Sequence, residues 1–179
     1  MTETTLLPIN IEQQEVVYRD KIQIMQRVVA QFDGFSKEYF VSDHGQRAAL
    51  LVVYKGEVLL TKQYRLLINR ISLEIPGGRV EENEDPREAA RRECLEETGV
   101  NCSTLKPLIY YHPSLDVIKN YTWIYFSEDV GEIIQIKEDQ RVWFSLDRCI
   151  NMIFAGESIL DGLSILALLA YLARIHKQK

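Results

Sequence analysis

Three glutamates, Glu93, Glu96 and Glu97, close a stretch (residues 75–100, IPGGRVEENEDPREAARRECLEETGV) in which 12 of 26 residues are charged and eight of those are acidic. Asp85 followed by Pro86 is a strong helix start, since an aspartate caps free N–H groups and proline lacks the N–H that the first helical position leaves unused. Gly99 is a natural terminator in the left-handed conformation. The spacing therefore predicts a helix from Pro86 to Thr98, and at ~100° per residue the three glutamates fall within an arc of about 100°. Carboxylates in a last turn oppose the helix dipole by roughly 0.3–1 kcal/mol each. The Glu93/Glu97 pair at i,i+4 adds about 0.2–0.5 kcal/mol of repulsion. An acid-rich helix is ordinarily a solvated face. Here Ala89, Ala90, Cys94 and Leu95 do not gather into one stripe, which predicts a helix enclosed on more than one side, where acids need partners. A divalent cation would relieve both penalties, and hard cations such as Mg²⁺ take carboxylate and carbonyl oxygens while keeping waters and phosphate oxygens in the remaining positions.

The same residues carry a resemblance. Gly78, five residues, Glu84, seven residues, then Arg92-Glu93-Cys94-Leu95-Glu96-Glu97-Thr98-Gly99-Val100 is similar to the Nudix box of the Nudix hydrolases, GX5EX7REUXEEXGU with U aliphatic, and all seven fixed positions agree. Cys94 stands at a U position, where a small buried hydrophobe changes packing rather than chemistry. The resemblance implies an αβα sandwich and hydrolysis of nucleoside diphosphates linked to a second moiety. It assigns Gly77 (through its carbonyl), Glu93, Glu96 and Glu97 to the metal, with Mg²⁺ as the cofactor and Mn²⁺ as a substitute. Arg92 and Glu84 orient the ligating carboxylates, and Gly77–Gly78 lets the loop turn beneath the metal because glycine tolerates positive φ.

Beyond the box, LLTKQYR, LEIPGG, YHPS and AGESILDGLSILALL resemble the ADP-ribose pyrophosphatase branch, which also includes GDP-mannose and other nucleotide-sugar hydrolases. That branch implies Mg²⁺-dependent cleavage of a nucleoside diphosphate-sugar, foremost ADP-ribose to AMP and ribose 5-phosphate. GDP-mannose or another NDP-sugar is the enzyme alternative, and a non-catalytic nucleotide-sugar-binding module is the alternative of another class. Arg65, Arg79, Lys37 and Glu38 become substrate-binding candidates, and Glu96, Glu97, Arg92 and Asp116 catalytic ones. Two departures stand out. Ile118 occupies the place of an expected loop glutamate, which leaves Asp116, a box glutamate or Glu138 as the general base, and Lys37 stands where arginine is usual, without its bidentate contacts. The branch also implies a homodimer that exchanges its N-terminal strands.

The elements that must position these residues are legible in outline. Residues 16–40 read as strands joined at Asp33-Gly34, and residues 47–63 as a hairpin around Lys55-Gly56. ISLEI runs as a strand into Pro76, while LKPLIYYHP and YTWIYFSED are strand-like. Helices follow from Leu146 and from Asp161, the second with Ile165, Leu168, Leu169, Leu172 and Ile175 at helical spacing. The order of strands, one helix, strands and two helices gives an α+β chain: a small N-terminal antiparallel β subregion (residues 1–45) and a Nudix-like αβα sandwich with a mixed β-sheet (residues 46–179).

Composition bounds the rest. A hydrophobic fraction of 46% and a net charge of −5 describe an ordinary soluble chain without the basic surface that nucleic acid requires. Three cysteines without CxxC spacing suggest neither a disulfide framework nor a zinc site, and no segment reads as a secretory signal or a membrane span. A cytoplasmic protein is expected. His44, His112 and His176 are scattered and read as structural, and Tyr110, Tyr111, Trp123 and Tyr125 as core aromatics.

Overall fold

The computed structural model describes residues 7–136 and 140–177. Its strands are β1 (Asn10–Arg19), β2 (Ile24–Phe32), β3 (Phe35–Asp43), β4 (Arg47–Tyr54), β5 (Glu57–Arg65), β6 (Arg70–Glu74), β7 (Gly77–Arg79), β8 (Lys106–Tyr111), β9 (Ile118–Lys119), β10 (Thr122–Ser127) and β11 (Arg141–Ser145). The helices are α1 (Pro86–Thr98), α2 (Leu146–Phe154) and α3 (Gly162–His176). Two units divide the chain: one takes the residues up to Gln46 together with 112–121, the other takes 47–111 and the residues from Thr122 onward.

In the first unit the sheet runs β1-β2-β3-β9. The β2–β3 hairpin closes at Asp33-Gly34, with Gly34 at φ +86° and Phe32 paired with Phe35. β9 adds in parallel to β3, placing Ile118 beside Ser42 and Lys119 beside Asp43, and Lys119 Nζ lies 2.7 Å from the Asp43 carboxylate. Ala30 is the one buried side chain among this unit's described residues, while Ile9, Ile11, Ile22 and Phe35 are each more than 60% exposed.

The second unit is built on β4. Its six central residues, Ala48–Val53, are all buried, because each face of the strand meets a different helical layer. Ala49, Leu51 and Val53 join Val58, Leu60, Ile124 and Phe126 beneath α2 and α3, through Cys149, Met152, Leu163, Leu168 and Tyr171. Ala48, Leu50 and Val52 join Leu59 and Tyr125 beneath Ala89, Ala90 and Cys94 of α1. Strand alternation thus sends successive apolar residues to opposite layers, so a run apolar on every residue is the mark of a strand covered on both faces. The sheet order is β11-β5-β4-β10-β8, with β6 on β5 and β7 on β4, and it is mixed because β10 runs parallel to β4. This is the expected α+β sandwich.

Several local expectations change. β11, absent from the expected strands although Val142, Trp143 and Phe144 are strand formers, pairs with β5 from Glu57↔Ser145 to Thr61↔Arg141. In α3 the buried stripe is Leu163, Ser164, Ala167, Leu168 and Tyr171; of the stripe drawn through Ile165, Leu168, Leu169, Leu172 and Ile175, Leu168 is buried, Ile165 and Ile175 pack at the edge of the core, and Leu169 and Leu172 are half-buried. Tyr125 is buried, whereas Tyr110 remains 43% exposed against Trp123. All three cysteines are buried and unpaired. No helix among the described residues is long and apolar enough to cross a membrane.

Candidate active site

α1 begins and ends as its sequence dictates. Asp85 accepts a hydrogen bond from the Arg87 N–H at 2.8 Å, and Gly99, at φ +71°, donates its N–H to the Leu95 carbonyl. Its buried residues are Ala89, Ala90, Cys94 and Thr98, with Leu95 only half-buried, so the helix buries one broad face rather than being enclosed on several sides. Helical phase places Glu93 and Glu97 inside that face and Glu96 at its edge, which agrees with Glu93 and Glu97 being partly buried and Glu96 exposed. The acidic end also meets a cation that spacing did not reveal: Arg141 of β11 donates to the Thr98 carbonyl at 2.8 Å, a favourable charge at a helix C-terminus.

β7 brings the glycines under this face. Gly77 pairs with Ala49 and Gly78 with Ala48, and the Gly77 N–H donates to Glu97 Oε2 at 3.1 Å. The approach to β7 is held twice, by the Leu50 N–H on the Pro76 carbonyl (3.0 Å) and by the Ile75 N–H on Ser164 Oγ (3.0 Å) at the start of α3. Neither Gly77 nor Gly78 has positive φ, so the expectation of a tight turn is wrong. Their role is close approach: a Cβ on Gly78 would lie 2.3–2.5 Å from the Glu93 carboxylate, and one on Gly77 would lie 2.6 Å from Ala49 Cβ and 2.7 Å from the Ala48 carbonyl oxygen.

Arg92 is the hub of the acidic group. Its Nε and one terminal nitrogen take both oxygens of Glu84 at 2.8 and 2.9 Å, and the other terminal nitrogen reaches Glu93 at 2.7 Å and Glu96 at 3.3 Å. A further bond to the Arg79 carbonyl at 3.0 Å ties the guanidinium to β7. The Arg92 hydrogen bonds hold the Glu84 carboxyl below its usual range, and Glu84 in turn raises the proton affinity of Arg92. Glu97 is moved the other way: burial first, then the charge of Glu93, pushes its carboxyl up to about 7 against the pull of the Gly77 N–H, Arg47 and Arg65.

That shift has a sign. With its folded pKa above the ordinary 4.5, Glu97 keeps a proton in the folded chain that the unfolded chain has lost, so stability in EDTA falls as pH rises from about 4.5 to about 7. Full conversion of the shift would correspond to about 3 kcal/mol, and solvent screening reduces this to about 2 kcal/mol. Denaturant unfolding in EDTA should therefore show Glu97→Gln equal to the unmodified chain near pH 4.5 and more stable by about 2 kcal/mol at pH 8. Mg²⁺ added at pH 8 should remove much of that difference by stabilising the unmodified chain.

The donor set suits a hard cation: carboxylates from Glu93, Glu96 and Glu97 with the Gly77 carbonyl, over a glycine cradle that any side chain would fill. Among the described residues no three His, Cys, Asp or Glu side chains stand close enough together to hold a metal ion by themselves. Glu93 faces Gly78 and Glu97 faces the Gly77 N–H, with exposed Glu96 at the edge, an open fan in which waters and phosphate oxygens would have to complete the coordination of a cation such as Mg²⁺.

The other candidates are placed as follows. Arg65 forms a bidentate ion pair with Glu74, Nε to Oε1 at 2.7 Å and a terminal nitrogen to Oε2, and the Glu74 side chain is only 5% exposed. The two line a cavity of about 370 Å³ with Ser72, Leu66, Asp161 and Gly162. Arg79 lies on β7 and is exposed. Lys37, Glu38 and Asp116 belong to the first unit. There Glu38 pairs with Arg27, Lys37 Nζ lies 4.4 Å from the Tyr39 ring centroid, and exposed Asp116 lines a cavity of about 330 Å³ with His112 and Tyr121. Glu138 lies outside the described residues. Sequence reasoning missed Glu74, which an acid amid the apolar ISLEI run could have flagged, and Arg47, for which spacing offered no sign.

The sequence profile of the NUDIX domain matches residues 44–160. The chain belongs to the Nudix family. Among curated relatives, a CMP-5'-(N-acetyl-N-hydroxy-3-aminopropyl)phosphonate hydrolase of Streptomyces rubellomurinus is 30% identical over 72% of this chain and 65% of its own length. An ADP-ribose pyrophosphatase of Bacillus subtilis is 29% identical over 58% of this chain and 56% of its own length. A methanol dehydrogenase activator of Bacillus methanolicus is 35% identical over 44% and 43%. The matched segment therefore spans between about two fifths and just under two thirds of these relatives. A solved structure described as an ADP compounds hydrolase superposes with a TM-score of 0.78 over 96% of this chain and 94% of that one, at 18% identity, which establishes the shared fold.

Proposed function

We propose that this Nudix protein is a Mg²⁺-dependent pyrophosphohydrolase that cuts the diphosphate of a nucleoside diphosphate-sugar, foremost ADP-ribose, to a nucleoside monophosphate and a sugar phosphate. The observation that carries the reading is the carboxylate fan of α1 over Gly77–Gly78, held by Arg92, in a chain with every fixed box residue. The ADP-ribose pyrophosphatase relative favours the substrate. Retention of all box glutamates favours turnover over mere binding, since a sensor needs no activated water.

A divalent cation, when bound, supplies charge neutralisation of the diphosphate and acidification of a water. Glu93, Glu96, Glu97 and the Gly77 carbonyl would hold it. Arg92 keeps Glu93 and Glu96 from swinging into solvent, and Glu84 keeps Arg92 in place. A box carboxylate would take the water's proton, and Glu97, fixed against β7 by the Gly77 N–H, is the one assigned to that task here. Incubating a panel of ADP-ribose, GDP-mannose, UDP-sugars and CMP-linked compounds with Mg²⁺ or Mn²⁺, followed by product chromatography, tests this. ADP-ribose should turn over fastest. Binding without turnover of any of them would leave the sensor reading instead.

A homodimer and a cytoplasmic location complete the proposal. The first unit's sheet, with Ala30 alone buried among the described residues and several isoleucines exposed, has too little core of its own and gains one if a second copy covers it. Light scattering at micromolar concentration should give a dimer, and a monomer would refute it.

A further inference from the structure

Two arginines bear on Glu97, and they are not in the same state. Arg65 is committed, with two nitrogens on both oxygens of a buried Glu74. Arg47, the first residue of β4, is paired in register with Arg79. One of its terminal nitrogens donates to the Gly77 carbonyl at 3.2 Å, and its Nε is buried without an acceptor among the described residues. A buried N–H with no acceptor is uncommon in a settled interior and leaves a donor available to a ligand oxygen. The guanidinium therefore sits on the carbonyl assigned to the metal, beside a carboxylate assigned to it as well.

Arg47 is not needed to aim that carbonyl. The backbone already fixes it, through the pairing of β7 with β4, the Gly77 N–H bond to Glu97 and the Pro76 carbonyl bond. What Arg47 adds is a positive charge, which a dication arriving at the same oxygens must face. A substrate diphosphate reverses the balance, because its anionic oxygens attract Arg47 away from Gly77 and offer its Nε the missing acceptor.

We propose that Arg47 is an internal cation that competes with the divalent metal at the Gly77–Glu97 end of the site and is handed to the substrate diphosphate, so that metal and substrate bind more tightly together than apart. This rests on the metal-dependent reading above. Coupling of this kind must be reciprocal: the diphosphate tightens the metal by the factor by which the metal tightens the diphosphate. It keeps the charge-rich pocket from holding a cation firmly before there is anything to cut.

The test is Mn²⁺ titration of the full chain, read as free Mn²⁺ by electron paramagnetic resonance, with and without the non-hydrolysable α,β-methylene analogue of ADP-ribose. For Arg47→Gln without analogue, Mn²⁺ affinity should rise about tenfold, and the further tightening that the analogue gives the unmodified chain should shrink. Arg47→Lys keeps the charge but not the fork, so it should bind Mn²⁺ alone as the unmodified chain does and also lose part of the coupling. It serves as the test if the glutamine variant does not fold. Equal or weaker Mn²⁺ affinity in Arg47→Gln, or full coupling retained in Arg47→Lys, would overturn the proposal while leaving the hydrolase reading intact. Failure of the unmodified chain to bind Mn²⁺ at all, with Glu93→Gln as the matched control, would overturn both.

Discussion

Glu97→Gln should lower kcat on the preferred nucleotide sugar by about 100- to 1000-fold while leaving the protein folded and, in EDTA at pH 8, more stable. The two effects share one cause. The carboxylate is held inside the broad buried face of α1, beside Glu93, where burial and repulsion both oppose its charge. Glutamine keeps an oxygen that can accept the Gly77 N–H, so the tie between α1 and β7 survives. What disappears, on the proposed function, is a negative oxygen for the cation and an acceptor for the water's proton. A structural role would cost stability and activity together, whereas a site that trades stability for chemistry gains one as it loses the other. Thermal unfolding and single-substrate kinetics on the same preparation separate the cases. Retained activity in this variant would remove Glu97 from the site.

How far the sequence alone reached depends on the range of the interaction. The limits of α1 and the hairpins at Asp33-Gly34 and Lys55-Gly56 follow from caps and turns within a few residues, and both were legible. The parallel pairing of β10 with β4 joins residues about 75 apart, such as Thr122 with Arg47, and nothing local announces it. Ile118 shows the same limit: its place beside Ser42 on β9 is a sheet addition that a departure from the family's loop pattern could not foretell. Box spacing placed Glu93, Glu96, Glu97 and Arg92 together because a helix converts spacing into a face. Arg47 and Glu74 reach their partners across strands and Arg141 reaches from β11 to the end of α1, where sequence distance carries no such conversion.

Gly78→Ala should give the second large loss, and comparison with Gly77→Ala explains why. An added methyl at Gly78 meets first the end of the Glu93 side chain, at 2.3–2.5 Å. That carboxylate can swing away, so the fold should lose little, but it then leaves both the Arg92 contact and the oxygen fan. Turnover should fall by about 100-fold and Mn²⁺ affinity should weaken, with a melting temperature within a few degrees of the unmodified chain. At Gly77 the methyl meets Ala49 Cβ and the Ala48 carbonyl oxygen, part of the central strand, and neither can yield without opening the β4–β7 pairing. That overpacking should cost about 1–3 kcal/mol in stability. Adjacent glycines with the same backbone freedom thus separate by what lies above them: one leaves room for a sheet, the other for a carboxylate. If Gly78→Ala kept full Mn²⁺ affinity and turnover, Glu93 would not be a ligand in the position where the structure holds it.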